Sequence, residues 1–136
     1  MVLYNNGLIK LHYDASNDIL CAECPDIQDF TLVQIHDTFK RISATIGGYG
    51  IKKLLFDCSK AVIDVSDEEY ITVIDEFDRD LQDTCLKRMA RIISPDLERE
   101  IRVASYFEAL KKRNKKSAIA FQNFSSMTAA MKWLKS

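Results

Sequence analysis

A chain of 136 residues, 47% hydrophobic and 29% charged, has the make-up of one ordinary globular domain, far from disordered or collagen-like composition. At this length roughly 68% of the unfolded surface can be buried, and no apolar run is long enough to cross a bilayer. The net charge of −1 conceals an asymmetry: residues 1–86 hold 7 Lys/Arg against 16 Asp/Glu, and residues 87–136 hold 12 against 4.

Opposed halves of this size can orient partners or favour head-to-tail pairing of two copies, unless the fold interleaves them and the fields cancel. Cancellation is the simpler expectation. No basic aromatic stripe marks a nucleic-acid binder. Met1–Gly7 has neither a basic flank nor a signal-type apolar stretch, and Cys21, Cys24, Cys58 and Cys85 are irregularly spaced. Both features point to a reducing cytoplasm.

In chain order, Leu8–Tyr13 and Ile19–Cys24 read as two strands of a hairpin joined by the turn residues Asp14–Asp18. Between Thr31 and Ile46, the residues Leu32, Ile35, Phe39, Ile42 and Ile46 recur at helical spacing, and Gly47-Gly48 is the expected stop. Ile51–Asp57 is a third strand. A helix opens at Ser66 with the apolar face Tyr70, Ile74, Phe77 and Leu81, widened by Ile71 and Val73.

Met89–Ile93 is the next strand. Ser94-Pro95-Asp96 reads as a helix start with Ser94 as cap, and that helix runs to about Lys111. Ala118–Phe121 is the last strand, and Ser125 or Ser126 caps a closing helix with Met127, Ala130, Met131 and Leu134. The order β-β-α-β-α-β-α-β-α implies an α/β domain, a mixed and mainly parallel sheet with flanking helices.

The stretch Lys52–Tyr70 is the expected working edge, because ligands in open α/β sheets sit beyond the carboxyl ends of strands. Here Leu55-Phe56-Asp57 ends a strand, Val62-Ile63 forms an apolar pair, and Asp64-Val65-Ser66 turns into a helix. These residues resemble the STAS domain of anti-sigma-factor antagonists and sulfate-transporter tails. In that family an Asp-Ser-Ser-Gly-type turn carries a phosphorylated serine at the helix start. The closing stretch Ala118–Phe121 with Ala129–Leu134 resembles a group of small bacterial STAS-related proteins.

The resemblance implies a STAS-like fold and a non-enzymatic regulatory role without cofactor. Ser66 would be the phosphoacceptor, and Asp57, Cys58, Ser59, Asp64, Val65 and Asp67 the surface for a protein partner such as a kinase or sigma-factor regulator. This chain departs from the motif in two places: Val65 stands for the first serine and Asp67 for the glycine.

Each candidate also has a plain explanation. Ser66-Asp67-Glu68-Glu69 is a capping-box pattern that accounts for the serine without any function. Cys21-Ala22-Glu23-Cys24 lacks a second pair of ligands and falls in a strand, not at a helix start as redox pairs do. Cys58 as a nucleophile needs a histidine base, and only His12 and His36 exist.

Arg88 and Arg91 read as strand-end cations reaching water; if internal, they require a carboxylate, Asp57 being the nearest choice. The basic run 111–116 reads as a solvated helix end. The alternative to a partner switch is a carrier of a small hydrophobic ligand or lipid. Its pocket would lie between sheet and helices near Phe77, Tyr106, Phe107 and Trp133.

Overall fold

The computed structural model describes residues 1–7, 9–23, 28–63, 65–113 and 119–136. Its main sheet has six strands, whose spatial order is their order along the chain. β1 (Val2–Asn5), β2 (Lys10–Asp14) and β3 (Ile19–Glu23) form an antiparallel meander. β3 then pairs in parallel with β5 (Lys53–Asp57), β5 with β7 (Arg88–Ile92), and β7 with β8 (Ala120–Phe124). A separate parallel ladder joins β4 (Gln28–Phe30) to β6 (Ala61–Ile63). β1 and this ladder were absent from the expected element order; each has only three or four residues, too few for a periodic signal.

Four helices complete the chain: α1 (Leu32–Tyr49), α2 (Asp67–Gln82), α3 (Leu97–Arg113) and α4 (Met127–Lys135). Three crossovers advance the sheet in one direction, and crossovers of one hand moving one way put their helices on one face. α1 and α2 supply Ile35, Phe39, Ile42, Ile46, Phe77 and Leu81 to the larger core, against Leu20, Leu54, Phe56 and Met89 of the sheet. α4 folds back over the other face, where Ala130 and Leu134 meet Ile19, Leu55, Ala90 and Ile92. The alternation Leu54, Leu55, Phe56 is thus buried on both sides, as a parallel sheet covered twice requires.

Two helix boundaries differ from expectation. Gly47 and Gly48 lie inside α1, which ends at Gly50 in the left-handed conformation (φ 62°), with its N–H donated to Ile46 O. A mid-helix glycine costs only about 1 kcal/mol, and the wholly buried Ile46 anchors the last turn. At α3, Ser94 is not the cap. Asp96 accepts the Arg99 N–H at 3.1 Å, while Ser94 is buried and donates N–H and O–H to Glu100. Ser126 caps α4 by accepting the Ala129 N–H. Among the described residues no helix is long and apolar enough to cross a membrane.

Candidate functional site

Ser66 lies exposed at the start of α2. Its Oγ accepts the Glu69 N–H at 3.1 Å, and Glu69 Oε1 accepts in turn from the Ser66 N–H and O–H. The capping box expected from the sequence is therefore formed. Beside it stands an arrangement that linear reading missed. Arg99 of α3 donates to Val65 O and, at 3.0 Å, to Asp67 Oδ1, so one guanidinium spans the two neighbours of Ser66. Arg102, one turn further, donates from Nε to the other Asp67 oxygen.

The hydrogen bond and charge of Arg102, reinforced by Arg99, hold the Asp67 carboxyl below its ordinary value. The acidic turn at Ser66 thus has two arginine neighbours from an element thirty residues away. Nothing in the local sequence announces them; the only signal is a docked α3 with arginines at i and i+3.

Of the expected surface, Asp57 is half-buried, and its Oδ1 accepts from the Ser59 N–H (2.9 Å) and O–H (2.6 Å). Ser59 is exposed, and Val65 packs partly against the main core. Cys58 is only 4% exposed and faces inward, so it cannot contribute to a protein contact. Burial pushes its thiol pKa up, the opposite of what a nucleophile needs. Between Cys58 and Val65 the segment carries β6 instead of being loop throughout. Asp64, Cys24, Ala118, and the side chains of Phe107 and the basic run 111–116 lie outside the described residues.

Behind Ser66, toward the sheet, is a buried ion pair. Arg91 of β7 grips Glu100 of α3 with two nitrogens on two oxygens, both at 2.6 Å, and the side chains are only 12% and 13% exposed. Burial alone would raise the Glu100 carboxyl; the hydrogen bond and charge of Arg91, with the Ser94 donors, bring it below its ordinary value. The Tyr70 hydroxyl lies 3.4 Å from Arg91, and burial raises its pKa to about 12.

Asp57 is not the partner of Arg91. In the parallel register Arg91 lies opposite Phe56, and Asp57 opposite Ile92, so the two side chains leave opposite faces of the sheet. Arg88 is half-buried and donates to the backbone oxygens of Trp133 (2.9 Å) and Ser136 (2.8 Å), closing the end of α4.

Arg91, Glu100 and Tyr70 line a cavity of about 300 Å³ between the sheet, α2 and α3. Phe39, Phe56 and Phe77 line it as a ring cluster, Phe39 stacked on Phe77 at 4.7 Å and edge-on to Phe56 at 5.5 Å. Of the aromatics expected around a pocket, Phe77 lines it. Trp133 lies on the other face of the sheet, 5.8 Å from Phe124.

The chain matches no family model, no curated protein and no solved structure. Among the described residues, no cluster of three His, Cys, Asp or Glu is placed to hold a metal.

Proposed function

We propose that this chain is a STAS-like regulatory module that works by protein–protein contact, with the Ser66 turn as its switch. The observation that carries the reading is the double grip on Asp67: Arg99 and Arg102 tie α3 to the exposed turn bearing Ser66. A phosphate on Ser66 brings close to two negative charges and three acceptor oxygens to a helix N-terminus. It removes the O–H donated to Glu69 and repels that carboxylate, opening the capping box. It also competes with Asp67 for the two guanidiniums, which pair well with phosphate. The outcome is a turn of altered charge and an α3 of altered seat, the change a partner would read. The six-stranded mixed sheet, with α1 and α2 on one face and the serine at the start of α2, supports the STAS-like assignment.

The test is intact mass with peptide localisation on protein recovered from its own cells in growth and stress, followed by partner capture with Ser66→Ala and Ser66→Asp. The switch predicts phosphate on Ser66 in one condition and opposite capture by the two variants. As a cap alone, Ser66→Ala costs about 1 kcal/mol and nothing more. An unmodified Ser66 in both conditions, with unchanged capture by both variants, overturns the switch.

A further inference from the structure

The cavity behind the Ser66 turn combines a phenylalanine cluster with a closed ion pair. Its volume of about 300 Å³ is at the lower end of small-molecule sites, typically about 300–1,000 Å³. The phenylalanine cluster, Ile74, Met89 and Val103 give it apolar walls, and Arg91, Glu100, Tyr70 and Asn123 add polar groups to the lining. The space equals that of on the order of ten waters, each wanting two to four polar partners, and the phenylalanine rings offer none.

The charge of Arg91 is already met. Arg91 spends both terminal nitrogens on Glu100, and Glu100 is held as well by Ser94. Glu108 adds a second carboxylate to the wall. An anionic ligand would have to evict Glu100 into a poorly solvated site and meet Glu108 besides. The neutral groups there are less committed: the Asn123 amide oxygen and the Tyr70 hydroxyl stand 3.5 and 3.4 Å from Arg91, at the outer limit of hydrogen bonding.

The way in runs past α3 and β8. Val103 is the only buried side chain among the described residues of α3, and Phe121 and Asn123 are exposed at the mouth.

From the apolar lining and the committed ion pair we propose that the cavity binds an uncharged, predominantly apolar small molecule, its body among Phe39, Phe56 and Phe77 and one hydrogen-bonding group toward Tyr70 and Asn123. The site is independent of whether Ser66 is modified.

The probe is N-phenyl-1-naphthylamine, an uncharged dye that brightens in apolar surroundings, titrated into the whole chain. Competition uses 1-decanol and decanoate at neutral pH. Saturable one-to-one binding is expected, displaced by decanol and not by decanoate. Ala104→Trp, at the exposed α3 wall, is expected to weaken the dye about tenfold or more, a change of about 1.4 kcal/mol, with the thermal midpoint unchanged. Ile74→Trp fills the space from the α2 side and serves if the first variant misfolds. Absence of saturable binding, full affinity in both folded variants, or displacement by decanoate equal to that by decanol overturns the proposal.

Discussion

Arg91 is the residue on which two elements depend. It stands in the middle of the sheet, with Phe56 on one side and Asn123 on the other, and among the described residues its charge is met from α3. Breaking a buried pair by removing one partner costs about 3–5 kcal/mol, whereas replacing both by apolar residues is often neutral. Arg91→Met is therefore expected to lose about 3–5 kcal/mol in urea unfolding, and Arg91→Met/Glu100→Leu to recover most of that loss. A double variant as unstable as the summed singles would show that the two residues are not coupled. From the sequence, Arg91 reads as a strand-end cation reaching water that requires a carboxylate only if internal; it is internal, and the carboxylate is Glu100. Asp57 is nearer in the imagined sheet, but a single step of register sends it to the opposite face, and Ser59 takes up its oxygen. Register is a property of the assembled strands, which no local pattern encodes.

Among the elements α3 is the odd one. α1 and α2 bury a stripe each and are joined on their outer sides by Lys40 to Glu76 and Asp80, at 2.9 and 2.8 Å. α3 instead exposes Leu97 and Ile101 (59% and 69%) and is tied through Glu100, Arg99 and Arg102. Its anchors Glu100 and Asp67 both have lowered carboxyl pKa values. A group depressed on folding stabilises the fold above its unfolded pKa, and that contribution is lost as pH falls through the folded value. Acidification below the ordinary carboxylate range, about pH 4, should therefore loosen α3 before the sheet. Hydrogen exchange corrected for intrinsic rates would show α3 amides losing protection first; simultaneous loss across the sheet would refute it. The helix itself was legible from Ser94-Pro95-Asp96, but not its cap. Ser94 is drawn inward by Glu100, a tertiary demand that overrides the local capping signal, and Asp96 caps in its place.

For the whole molecule, the opposed charge of the two halves is met in part within the chain, since Asp67 of the acidic half holds Arg99 and Arg102 of the basic half. The alternation of strand and helix after the hairpin was legible because hydrophobic period changes from two to 3.6 at each boundary. The short β4–β6 ladder was not, being held by backbone pairing between segments distant in sequence. The sheet's second face depends on one nine-residue helix, α4, and Leu134 in its last turn is wholly buried. Leu134→Ala should cost about 2–5 kcal/mol in a urea titration; a cost near zero would mean that α4 does not seal that face. Finally, the six strands lie side by side in the order in which they are made. During synthesis each new strand can dock on the edge left by the one before it, without threading past a neighbour. The fold can thus be completed in the direction of translation, from the amino terminus onward. The final docking sets β8 beside β7 and closes α4 beneath them, so the cavity and the second core are the last parts to form.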